Sequence, residues 1–135
     1  MDALRRVQLF AELDQAELEQ IARLFKERRF SQGETVVREG SGGAAFYLIE
    51  SGEAEVSVGG TARPTLRQGD YFGEIALIDE GPRSATITAT SDLVCYGLTF
   101  WDFRPLVQES GPLGWKLLQA MVQKLRAAER GALPI

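Results

Sequence analysis

The feature that most limits the fold is the spacing of glycines through the middle of the chain. Turns at Gln32-Gly33-Glu34, Glu39-Gly40-Ser41-Gly42-Gly43, Ser51-Gly52-Glu53, Gly59-Gly60 and Gly69-Asp70 leave runs too short for an amphipathic helix. The runs are β-branched or aromatic: Phe30, Val36-Val37, Ala45-Phe46-Tyr47-Leu48-Ile49, and Ala54-Glu55-Val56-Ser57-Val58, whose alternation puts both valines on one face. Glycine reverses such a chain at little steric cost, and Gly59-Gly60 has the form of a two-residue hairpin loop. Ala85 to Ala89 and Leu93 to Leu98, separated by Thr90-Ser91-Asp92, add two more strands. A phosphate loop at Gly42-Gly43 is not expected, because neither Lys-Ser nor Lys-Thr follows. The expected fold is mainly β: an antiparallel double-sheet, jelly-roll-like barrel flanked by N- and C-terminal helices.

The flanks carry helical signals. Asp14 and Glu17 have capping-box spacing, Leu13 is placed to staple against Leu18, and Leu18, Ile21, Ala22 and Phe25 form one apolar face. Thr99 can cap a short helix through Asp102, with Trp101, Phe103, Leu106 and Val107 as its apolar surface. Gly111-Pro112 opens a last helix whose stripe is Leu113, Leu117, Leu118, Met121, Val122 and Leu125. That stripe has three readings: core packing, a lid over a bound ligand, or a dimerisation surface. Gly131 to Ile135 reads as a frayed tail. One domain is expected over 1–135: a helical segment at about 1–29, a β-roll at 30–98, and C-terminal hinge and lid helices at 99–130.

Composition removes several function classes. The 135 residues hold no histidine, which takes away Ser-His-Asp and Cys-His machinery and the usual metal ligands, so no enzyme, catalytic residue or metal site is expected. A net charge of −4 argues against a nucleic-acid or acidic-membrane binder. The lone Cys95 forms no internal disulfide, lies between Val94 and Tyr96 without an activating cation, and is expected to be a buried, inert thiol. With no signal-peptide or membrane-spanning run, a cytoplasmic location is expected.

The chemistry concentrates between Gly69 and Thr90. Gly73 precedes Glu74-Ile75-Ala76-Leu77, a place where a helix start would present backbone N–H groups to an anion. Nine residues after Glu74 comes Arg83, fixed by Pro82, whose planar fork of donors suits a phosphate. A carboxylate beside a phosphate cradle needs another purpose, and a vicinal sugar hydroxyl supplies one, since ionised carboxylates accept strong hydrogen bonds. Phosphate with free ribose points to a nucleotide. Taken singly, Glu74 and Arg83 also read as a surface ion pair worth about 0 to 1 kcal/mol, with Gly73 a simple turn.

The ordered series Phe72-Gly73-Glu74-Ile75-Ala76-Leu77, a short loop, then Pro82-Arg83-Ser84-Ala85-Thr86 closely resembles the phosphate-binding cassette of the cyclic nucleotide-binding domain family. The resemblance extends to Tyr47-Leu48-Ile49…Gly52, to Leu66…Gly69-Asp70, and to both terminal helical segments, with the cassette at 69–86. It implies that Arg83 pairs with the exocyclic oxygens of the cyclic phosphate and that Glu74 takes the ribose 2′-hydroxyl. On the same resemblance, backbone groups of Gly73, Ile75, Ala76, Ser84 and Ala85 would complete the cradle next to Phe72 and Val58 would touch the base; Arg126 or Arg130 could reach it from the last helix, the other reading of either being a solvated charge.

At the place of Ser84 the family associates alanine with cyclic AMP and threonine with cyclic GMP. Serine carries the hydroxyl yet also occurs in cyclic AMP receptors, so cyclic AMP is the expected ligand and cyclic GMP its alternative, with no further cofactor. Family members add effector domains, and none is expected within these 135 residues. The expectation is a non-enzymatic sensor, stand-alone or excised from a longer protein, that acts on an unidentified effector through its C-terminal helices. It can pair as a homodimer through the last of them. The alternative is a cassette fold that has lost its ligand and serves as an interaction module.

Overall fold

The computed structural model describes residues 2–42, 45–79 and 81–132. They fall into two compact units, one of residues 25–104 and one made of both chain ends, up to 24 and from 105.

The first unit holds eight strands: β1 (Lys26–Phe30), β2 (Thr35–Val37), β3 (Ala45–Ser51), β4 (Ala54–Val58), β5 (Thr61–Ala62), β6 (Tyr71–Phe72), β7 (Thr86–Ala89) and β8 (Leu93–Thr99). They form two four-stranded antiparallel sheets, ordered β1-β8-β3-β6 and β2-β7-β4-β5. The expected barrel is therefore corrected: neither sheet closes. Closure needs a continuous ladder between edges, and two of the edge strands, β5 and β6, are two residues long. Pro64, which has no N–H, comes after β5, and the turn at Gly73 ends β6. The further links Gly42 to Pro82 and Ala54 to Leu66 are single bridges.

Period-2 patterning builds the layer between the sheets. Phe30, Tyr47, Ile49, Leu93 and Cys95 meet Ala54, Ile87 and Ala89, with Val36, Val37 and Val56 packed at the margin. Central β3 is buried on both faces, Phe46 and Leu48 lying opposite Tyr47 and Ile49. Cys95 is fully buried and desolvation pushes its thiol up to about 11, as expected of an inert thiol. The Gly59-Gly60 hairpin forms as read, both residues at positive φ between paired Val58 and Thr61.

In the second unit the capping box forms: Asp14 Oδ1 accepts from the Glu17 N–H at 2.9 Å, and Glu17 Oε1 accepts from the Asp14 N–H at 3.0 Å. Helix α1 (Gln15–Ala22) stops before Phe25, which sits outside the expected helical face and sets its ring edge-on to Phe46 at 5.9 Å. Helix α2 (Phe100–Glu109) is capped by Thr99 Oγ1, which accepts from the Asp102 N–H at 3.1 Å; Trp101 is exposed and Phe100 is buried instead.

Helix α3 (Gly111–Ala132) takes in Gly131 and Ala132 from the expected tail, the rest of which lies outside the described residues. Its stripe splits: Leu113 and Leu117 are buried, together with Ala120 from outside the stripe, whereas Leu118, Val122 and Leu125 face solvent. α3 packs on the turn Gln8–Phe10. Its Lys116 donates to Glu17 Oε1 at 2.6 Å and lies 3.7 Å from Asp14 Oδ2. One lysine thus ties α3 to the cap of α1.

The capping hydrogen bond from the Glu17 N–H holds the Asp14 carboxyl below its ordinary value of 3.8, and the bond to Glu17 raises Lys116 above 10.5. Stability from Asp14 is present above pH 3.8 and lost as pH falls through the depressed value. That from Lys116 is present below 10.5 and lost as pH rises through the raised one. Replacing Lys116 by Met lowers the melting temperature at neutral pH, and the gap from wild type narrows on acidification below about pH 3.8 as Asp14 protonates. Thermal melts across that range check this; a gap independent of pH contradicts it.

Candidate functional site

The stretch from Gly69 to Thr86 is pinned to β3 and to the β2–β3 loop. Before β6, the Gly69 N–H donates to Ile49 O and the Ile49 N–H to Asp70 O, both at 2.9 Å, so β6 is delivered alongside β3 with Phe72 opposite Tyr47. Their rings stack at 5.3 Å. Gly73 then turns at φ 83°, ψ 20°, a left-handed conformation that costs a residue with a Cβ about 1 kcal/mol or more.

Beyond Gly73 the chain makes a single 3-10 turn, Glu74–Leu77, and not an open helix start. The Ala76 N–H is already donated to Gly73 O at 3.0 Å, so of the expected cradle donors this one is engaged within the turn. Ala76 and Leu77 anchor the turn inward, while Ile75 and Ile78 are exposed. Glu74 is half-buried, with Oε2 shielded from solvent.

Arg83 is held at both backbone groups. Its N–H donates to Ser41 O and its carbonyl accepts from the Gly40 N–H, each at 2.9 Å, beside the Gly42–Pro82 bridge. Its side chain runs inward, where Nη2 donates to the carbonyl of Ala45 and Nη1 lies against Gly73; Nε is buried with no partner among the described residues. Burial lowers the Arg83 pKa, opposed by Tyr47, but a guanidinium keeps its charge. A half-buried cation with donor capacity left over is a place for an anion with several acceptor oxygens.

Gly73 and Arg83 are therefore in contact, with Phe72 and Glu74 adjoining them in the chain. Ser84 is exposed and Ala85 half-buried at the start of β7. Val58 is half-buried at the end of β4. Arg126 belongs to α3 in the other unit, where it is exposed and lines an open groove with Glu12, Trp115 and Leu118. Arg130 also lies on α3.

Sequence reasoning missed two supports. The Ala45 carbonyl leaves no trace in side-chain patterns. Glu39 joins two loops: its N–H donates to Thr86 Oγ1 at 2.9 Å and its Oε1 accepts from the Gly59 N–H at 2.8 Å. Only its place in a glycine-rich turn marked it.

Among the described residues, no cluster of three or more His, Cys, Asp or Glu could hold a metal ion, and no helix is long and apolar enough to cross a membrane.

Comparison with known proteins agrees with this geometry. A cGMP-dependent protein kinase of Toxoplasma gondii is 42% identical over 95 residues, which are 70% of this chain and 10% of that protein. A cAMP-dependent protein kinase regulatory subunit of Yarrowia lipolytica is 44% identical over 92 residues, 67% of this chain and 24% of the relative. The chain thus spans a quarter or less of either. The crystal structure of the N-terminal domain of a transcriptional regulator from Streptomyces coelicolor A3(2) superposes with a TM-score of 0.87 at 26% identity, covering 97% of this chain and 95% of that one. The family model described as cyclic nucleotide-binding domain matches residues 27–110, which take in both sheets and the whole of the Gly73–Arg83 arrangement, and the chain belongs to that family.

Proposed function

We propose that the chain is a non-enzymatic receptor module that binds 3′,5′-cyclic AMP and relays a conformational change through its C-terminal helices to an effector. The observation that carries this reading is the half-buried Arg83 guanidinium, lodged between Gly73 and the Ala45 carbonyl beside a half-buried Glu74. Arg83 takes the exocyclic phosphate oxygens and Glu74 the ribose 2′-hydroxyl. Phe72, Gly73, Ile75, Ala76, Ser84 and Ala85 shape the cradle, with Val58 toward the base. The Ala76 N–H must leave Gly73 O or share it to serve the ligand.

The named relatives divide between cyclic AMP and cyclic GMP, and Ser84 offers a hydroxyl to either. Cyclic AMP is our choice. The module acts in the cytoplasm, as a single domain within whatever chain carries it. The relay is a population shift: it requires the ligand to bind one state of the C-terminal helices more tightly than the other.

A second feature favours self-association. Trp115, Leu118, Val122 and Leu125 recur along α3 at alternating three- and four-residue steps, and all four are exposed. That is the seam spacing of a short coiled coil, and pairing with a second copy would bury it.

Calorimetric titration should give heat with cyclic AMP and a weaker response with cyclic GMP; silence with both ends the reading. Arg83→Lys removes the bidentate contacts, worth about 1.5 to 3 kcal/mol, so affinity falls roughly ten- to a hundredfold. An unchanged dissociation constant would contradict the phosphate role. Glu74→Gln weakens binding while the melt stays cooperative, and 2′-deoxy cyclic AMP then loses little further affinity. A large additional loss would remove Glu74 from the sugar. In sedimentation equilibrium the wild type forms dimers at high concentration, and Leu118→Glu with Leu125→Glu gives monomer. A monomeric wild type excludes the pairing.

A further inference from the structure

We propose that Gly73 is a positioning residue for Arg83: the missing side chain leaves the space in which the guanidinium lodges and reaches the Ala45 carbonyl. This inference rests on Arg83 being the phosphate ligand.

Three groups converge on one point. A Cβ on residue 73 would overlap Arg83 Nη1, stand 2.8 Å from Ala45 O and lie 3.5 Å from Arg83 Cζ. Ala45 O belongs to the first residue of β3, which is paired with Thr99 of β8, and as backbone of that ladder it yields less readily than the end of a side chain. So does the Arg83 backbone, tied to Gly40 and Ser41 and preceded by Pro82. The guanidinium is the part that can yield, and in yielding it leaves the Ala45 carbonyl and its place above the turn.

Gly52 also lacks room for a Cβ, which would meet the backbone of Asp92 and Leu93, but among the described glycines only Gly73 is set against a guanidinium. Gly33 and Gly40 have φ of +89° and +81°, close to the +83° of Gly73, but a Cβ on either meets nothing within 4 Å. Their glycine is required by backbone conformation alone. At Gly73 a second requirement is added, and it concerns the reach of a side chain ten residues on.

The two requirements separate in a double-mutant cycle, because lysine lacks Nη1 and Cζ, two of the three atoms a Cβ would meet, while the contact with Ala45 O and the left-handed strain are the same with or without Arg83→Lys. Melting temperature and cyclic AMP affinity are measured for wild type, Gly33→Ala, Gly73→Ala, Arg83→Lys and Gly73→Ala with Arg83→Lys. Gly33→Ala reports left-handed strain alone and keeps wild-type affinity. Gly73→Ala loses about tenfold or more, by the same contact arithmetic as Arg83→Lys. Adding Arg83→Lys to Gly73→Ala then lowers affinity by no more than about threefold below Arg83→Lys alone, since both changes remove one contact. Adding it also raises the melting temperature of Gly73→Ala by about 3 °C or more as the overlap is relieved.

Multiplicative losses without that rise overturn the proposal, as does wild-type affinity in Gly73→Ala. If Gly73→Ala does not fold, the double variant decides: folded, it supports the positioning role; unfolded, it overturns it. A wild type that binds neither cyclic AMP nor cyclic GMP sinks the proposed function instead, and the change in melting temperature still tests the positioning role by itself.

Discussion

A guanidinium drawn halfway out of water has to be given acceptors, and most of this molecule's detail can be traced to how that demand is met for Arg83. One acceptor is the backbone carbonyl at the start of the central strand β3; the backbone on either side of the side chain is clasped by the β2–β3 loop. This leaves a cation whose location is set before any anion arrives. In the proposed role, binding would spend little on ordering the side chain, which is the general route to affinity from a small contact area.

The placement depends on long-range pairing. Ala45, the acceptor for Arg83, opens β3 opposite Thr99 of β8, and Arg83 itself precedes β7, which sets off from Thr86, whose hydroxyl accepts the Glu39 amide. Glu39 also holds the hairpin tip at Gly59, so a single acidic residue connects the cassette strand with the turn beyond Val58. Displacement of one would be felt by the other without passing through the hydrophobic layer.

Strands, turns and caps were legible because their determinants are local: glycine at positive φ, alternating valines, and the Asp14–Glu17 and Thr99–Asp102 spacings. The Phe72–Thr86 series was legible because its chemistry lies in side chains. Barrel closure was misread, since alternation fixes which face is buried but not which edges meet. The α3 stripe was legible only as a whole: Leu113 and Leu118 look alike in sequence, yet one is buried and the other exposed. The hold of Ala45 on Arg83 was invisible because a carbonyl is common to every residue.

The open sheets carry one more implication. An unclosed sheet presents bare backbone along its margins, the surface on which chains stack into fibrils. Here two margins, β5 and β6, extend over only two residues each, and β2 over three. The longest, β1, reads Lys-Glu-Arg-Arg-Phe, with every residue but the last turned to water. Crowded charge and short length make poor templates, so the fold forgoes closure without inviting runaway polymerisation.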